Sequence, residues 1–240
     1  LRSLVGSEMC IRDRNRADAQ AKLEEIIPLC GEDVLLQVAQ VGCKVYFGAY
    51  EQDNNTSNGK EDIAWLVLAK ENNRILVISD KALDCQPYNY LMVNITWETC
   101  SLRQWLNDTF FNMAFSSVEQ AMIADTNALP DKNLMFSTDP GNATMDKVFL
   151  LSIDEVNRYF DSDAARECVP STYAKENGAL TSIGYTKGDK GTCRWWLRSP
   201  GGGYNYAAGV SSGGDIREFG YSVNYDRNAV RPALWINLDS

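Results

Sequence analysis

The residues with the widest chemical options lie in the last quarter of the chain. Arg198 and Arg231 sit inside otherwise apolar segments, Trp195, Trp196 and Trp235 stand beside them, and Gly201-Gly202-Gly203 falls between. A guanidinium persists in an apolar strand only when it is paired and hydrogen-bonded. The two arginines therefore read as a structural clasp across the ends of segment 199–230, with Asp215, Asp226 or a backbone carbonyl as partner. Three Trp in strand-like segments read as core, with stacking on a sugar ring as the lesser alternative. The glycine run lacks the Lys and the following helix that a phosphate loop requires, and reads as a turn.

What is missing narrows the chemistry further. The 240 residues contain no His, which removes the usual general base near neutral pH, the usual partner of a Ser or Cys nucleophile and the commonest metal ligand. No catalytic residue can be singled out, because the acidic residues are scattered and no carboxylate pair stands out. Cys30, Cys43, Cys85, Cys100, Cys168 and Cys193 include no C-x-x-C pair, so neither zinc nor a cofactor is expected. Two readings of these cysteines stand: disulfides if the protein is exported, or buried free thiols. Residues 51–62, EQDNNTSNGKED, have the composition of a calcium loop. Gly59 is misplaced relative to Asp53 and the closing Glu is missing, so a solvated turn is expected.

Composition sets the class. A net charge of −9 with no basic run argues against a nucleic-acid partner. At 45% hydrophobic residues the chain can bury one substantial core. Its longest apolar run, Ile63 to Ala69, is strand-sized and falls far short of the roughly 20 residues of a membrane-spanning helix.

The elements that must position these residues are legible in outline. Residues 15–43 carry a broken apolar pattern that reads as a helical lead-in, and 44–240 as a single domain. VYFGAY alternates as a strand, and Ile63–Ala69 with Arg74–Ser79 reads as a hairpin turning at Asn72-Asn73. Ser101 to Ala114 places Leu102, Trp105, Leu106 and Met113 on one helix face. Capping boxes open helices at Ser116-Ser117 and at Ser152 with Glu155. Residues 125–147 read as a long loop, 148–151 as a short buried strand, and the chain after Thr192 as short strands with glycine turns.

Segment 199–230 has an unusual composition. Glu, Lys, Gln, Met and Trp supply 42 of the 240 residues, yet in these 32 positions only Glu218 belongs to that set. Tyr204, Asn205, Tyr206, Ser211, Ser212, Asp215, Arg217, Tyr221, Asn224, Tyr225, Asp226 and Arg227 are types that build adaptable contact surfaces, Tyr for area and Ser and Asn for hydrogen bonds. A polar loop and a sequence-permissive binding surface both account for this composition.

Two resemblances bear on the whole chain. Residues 1–14, LRSLVGSEMCIRDR, resemble a translated sequencing adapter and are set aside, which leaves an export signal or further domain before Asn15 as an open expectation. The segments GAYEQDNNTSNGKEDIAWLVL, ALDCQPYN, TWETCSLRQWLND, KVFLLS, WWLRSPG and VRPALWINL resemble the family of gut Firmicutes proteins called domain of unknown function 6273, over about Val45 to Leu238. The ending resembles more loosely the C-type-lectin-like fold of formylglycine-generating enzymes and of the variable proteins of diversity-generating retroelements. The enzyme branch carries over poorly, since no paired-Cys copper arrangement matches.

The resemblance implies an α+β, C-type-lectin-like domain: one antiparallel sheet of the hairpin and C-terminal strands, flanking helices and a loop-rich C-terminal region. It also implies a non-catalytic domain that binds a protein or glycan through a diversified surface, with an extracellular or cell-surface location favoured. A structural cell-envelope module and a degenerate enzyme are the alternatives.

Overall fold

The computed structural model describes residues 36–182 and 191–238. Most of the expected lead-in, residues 15–35, and the adapter-like residues 1–14 lie outside the described residues. The fold is α+β and uses two main sheets. The first has strand order β1-β2-β3-β11, formed by β1 (Lys44–Tyr50), β2 (Glu61–Glu71), β3 (Arg74–Ser79) and β11 (Ala233–Asn237). The second runs β4-β10-β7-β8-β9, with β4 (Asp84–Cys85), β7 (Trp195–Pro200), β8 (Tyr206–Val210), β9 (Ile216–Ser222) and β10 (Ala229–Val230). One apolar cluster spans both, so the two sheets share a core.

The single antiparallel sheet expected from sequence is thus replaced by two, and β10 pairs with β7 in parallel. The cause lies within VRPALWINL. Pro232 has no N–H to give to a ladder, and its carbonyl accepts from Ser79 N at 2.9 Å. Arg231 and Pro232 therefore belong to neither sheet, and the chain crosses from the second to the first at this point. The β2–β3 hairpin does form where expected, with Asn72 at φ 49° absorbing the turn.

The helices are short. A helical stretch begins as α1 (Ser101–Trp105), passes through a π-turn at Leu106–Phe110 and ends as α2 (Phe111–Ala114). The π-turn inserts one residue and rotates the following face. Phe110 and Ala114 therefore enter the core beside Leu102 and Leu106, whereas Met113, expected to be inward, is 45% exposed. Ser116 caps α3 (Ser117–Met122) with Glu119, and Ser152 caps α4 (Ile153–Tyr159) with Glu155, both as complete capping boxes. The long loop holds a small hairpin, β5 (Thr126–Ala128) with β6 (Thr144–Asp146). Residues 148–151 are buried outside the named strands; Phe149 bridges to Ala233, and Leu151 O accepts from Arg198 N at 3.0 Å. Two short helices, α5 (Asp163–Arg166) and α6 (Thr172–Glu176), precede β7.

Candidate binding surface

β7 is the axis of the site. All six of its residues are buried, and Trp195 and Trp196 are both 0% exposed, with Trp235 of β11 at 7%. The three Trp are core, which removes them as a sugar-stacking platform. Trp196 donates its indole N–H to Gln86 O at 2.9 Å and meets the Tyr221 ring edge-on at 5.9 Å. The core thus supports the first ring of the surface directly.

The two arginines do not clasp each other's end of the segment. Arg198 forms a fork with both carboxylate oxygens of Glu155 in α4 and donates to Leu150 O at 2.9 Å. Glu155 also accepts from Ser152 N, so the residue that caps α4 anchors the start of the segment. Arg231 donates to Ser79 O at 2.9 Å and to Arg166 O at 3.4 Å, and lies over the rings of Trp195 and Phe160. Neither Asp215 nor Asp226 is a partner; Asp215 instead pairs with Arg217 at 2.8 Å on the surface.

Beyond β7 the chain folds out as β8 and β9, and β9 is the free edge of the second sheet. A bulge at Gly220 bends it: φ is 77°, and a Cβ there would lie 2.1 Å from Ala207 O. The glycine run has its amides committed to the chain, Gly201 N to Tyr206 O and Gly202 N to Phe219 O, both at 2.8 Å. It is a turn, and Gly202 leaves the space into which Phe219 packs.

A groove of about 700 Å³ runs along β9, with Arg194, Asp215, Arg217, Phe219 and Tyr221 on its walls. Tyr221 stacks on Tyr225 at 6.1 Å and 16° and lies under the Arg194 guanidinium. Tyr206 meets Phe219 at 5.0 Å. Burial, with some help from Asp215 and Tyr225, raises the Tyr221 phenol against the opposing pull of Arg194 and Arg217. It therefore stays a neutral hydrogen-bond donor across the physiological range.

The residues singled out from sequence divide into groups. Ser212, Asp215, Arg217 and Tyr221 line the groove, Tyr225 stacks on its wall, and Tyr206 packs on Phe219. Tyr204, 55% exposed, and half-buried Asn205 form the adjoining turn, tied back by Asn205 O to Val223 N. Ser211 also lines the groove, at its floor: it is 6% exposed, and its hydroxyl accepts from Gly213 N. Asn224, Asp226 and Arg227 are exposed but do not line the groove. The Arg227 carbonyl accepts from Leu180 N, which holds that end beside another loop.

Other residues in and around the groove were missed. Met135, 69% exposed, and Phe136, edge-on to Phe219 at 5.7 Å, come from the loop between β5 and β6. Asn133 fixes that loop by donating to Pro200 O and Glu218 O. On the other flank, Ile95 N donates to Tyr204 O, and Tyr90 to Val93 form a run of exposed apolar side chains. The signal was present in both cases: LMF and YLMV are apolar runs inside otherwise polar loops.

Two acidic groups take shape in three dimensions, the first inside the calcium-loop-like residues 51–62 and the second between distant positions. One oxygen from each of Glu51, Asp53 and Glu61 lies within 4.8 Å of the others. Main-chain N–H groups of Gln52, Asp53 and Asn55 donate to these carboxylates, as a self-closed turn requires. Asp131 and Asp154 are in side-chain contact, and the Asp131 charge raises the Asp154 carboxyl. Neither pair member lines the groove.

A family model for a domain of unknown function, DUF6273, matches residues 72–238, from the β3 hairpin to the end of β11. The chain belongs to this family. The match takes in β7, the groove and the Arg231 crossover together. No curated protein and no solved structure matches. No helix among the described residues is long and apolar enough to cross a membrane.

Proposed function

We propose that this DUF6273 domain is a non-catalytic binding module that engages a protein or glycan ligand through the groove and turn of residues 203–229. The carrying observation is the concentration of partly exposed rings, Tyr206, Phe219, Tyr221 and Tyr225, on and beside the outer strand β9, whose partner β8 pairs in turn with the buried β7. Rigid aromatic anchors flanked by Ser, Asn and Arg supply contact area at little entropic cost and hydrogen bonds that tolerate sequence change. The absence of His from the whole chain supports binding over acid–base or nucleophilic catalysis.

The finer parts of the reading follow from the resemblance at the C-terminal end: a C-type-lectin-like architecture, diversification of 199–230, and a location outside the cell or at its surface. A rigid frame with a variable outer strand suits such a surface.

The experiment is a screen of glycans and surface proteins against the full chain, with Tyr204→Ala and Tyr225→Ala as controls. Binding that falls at least tenfold in both variants supports the reading. Unchanged binding in both removes this surface from the function. Sequencing the locus tests diversification separately, through a template repeat that matches codons 199–230 except at adenines.

A further inference from the structure

Arg198 and Arg231 are both buried, yet only Arg198 has a carboxylate. Arg231 is 3% exposed, and among the described residues its partners are two main-chain carbonyls and two aromatic faces. A desolvated cation with no counter-charge is costly. Two thiols stand in its field. Cys168 and Cys193, at 2% and 0% exposure, lie beside each other, and the Cys168 thiol donates to Asp80 O and Val169 O, both at 3.7 Å.

The backbone holds them side by side. Cys193 N donates to Cys168 O at 2.7 Å, so the two main chains are in direct contact, as the short Cα separation of a disulfide, about 4.4–6.8 Å, requires. Burial pushes the Cys168 thiol up, but the hydrogen bond from Cys193 and the Arg231 guanidinium outweigh it and hold Cys168 below the usual thiol range. The bond to Cys168, and then burial, hold Cys193 well above that range. One sulfur is thus poised as nucleophile and the other as the proton-bearing partner.

We propose that Cys168 and Cys193 are a dithiol–disulfide pair whose closure ties the connection between α5 and α6 to the segment entering β7. The Cys168 thiolate attacks one sulfur of a small-molecule disulfide, forming a mixed disulfide and releasing one thiolate, which takes up a proton. The Cys193 thiol then loses its proton to solvent, and its sulfur displaces the second thiolate. Two protein thiols are oxidised, and one external disulfide is reduced to two thiols. Because both sulfurs are buried, exchange in the folded protein requires local opening and is slow; during refolding it is fast. The pair sits at the root of the strand that supports the binding surface, and the inference does not depend on what that surface binds.

The test uses the full chain, incubated folded and also refolded with oxidised glutathione, then alkylated in denaturant, digested and mass-mapped. The expected product is a Cys168–Cys193 linked peptide, abolished by reductant and retained in Cys85→Ser. Cys193→Ser should stop at a glutathione adduct on Cys168. Absence of the linked peptide in both regimes overturns the proposal, as does a yield no greater than that of pairs containing Cys85.

Discussion

β3 and β9 are strands of similar length with opposite fates. β3 lies between β2 and β11, and five of its six residues are buried, including Ser79 at 0% exposure. β9 closes the second sheet, no residue in it is buried, and Phe219 is 56% exposed. Position in the sheet, not polarity, decides exposure: a serine is entombed and a phenylalanine is presented to solvent. An edge strand of this kind is a liability unless something covers it or uses it. Here a bulge, an Asn133 brace and flanking charges shape it into a groove.

Substitutions should separate frame from surface, and the largest effect is expected where the two are joined. Arg198→Ala leaves Glu155 without its partner and should cost about 3 kcal/mol, measured by urea denaturation. A loss below about 1 kcal/mol would mean that the fork does not anchor β7. Gly220→Ala places a Cβ against Ala207 O at positive φ and should cost about 2 kcal/mol. It should also weaken ligand binding, because the bulge sets the groove.

Alkaline pH probes mainly the frame, with the raised Tyr221 phenol adding a contribution from the groove. Burial pushes the Cys100 thiol up to about 12, whereas an unfolded thiol titrates near about 8.5. The folded state holds the proton longer, so this contribution is complete below pH about 8.5 and is lost as the pH rises toward 12. Denaturation curves between pH 8 and 11 should show falling stability, with a shallower slope in Cys100→Ala. An unchanged slope would place the thiol in contact with water. The smallest effects belong to the surface: Arg217→Ala and Asn224→Ala should change stability by no more than about 0.5 kcal/mol. A larger loss in thermal melts would show that the outer strand is part of the frame.

What could be read from sequence was local in the chain. The capping boxes at Ser116 and Ser152 close over three residues, and the β2–β3 hairpin turns at Asn72, so composition and spacing suffice for both. The inward face of Ser101–Ala114 was legible as far as Leu106. The π-turn then shifted it by one residue, and hydropathy alone does not reveal such a shift. The residues of the outer strand were legible as a type of surface, but not as one groove with Met135 on its wall from a loop some 80 positions earlier.

By itself the sequence determined the capped helices, the central hairpin and the aromatic, amide-rich character of the C-terminal segment, because each depends on residues close together in the chain. Tertiary structure alone decided that Arg198 finds Glu155, that Arg231 rests on two main-chain carbonyls and two aromatic faces, that Ser211 is buried, and that VRPALWINL divides between two sheets. These outcomes depend on which distant elements share a core. Burial and charge pairing are properties of that arrangement, and no spacing along the chain encodes them.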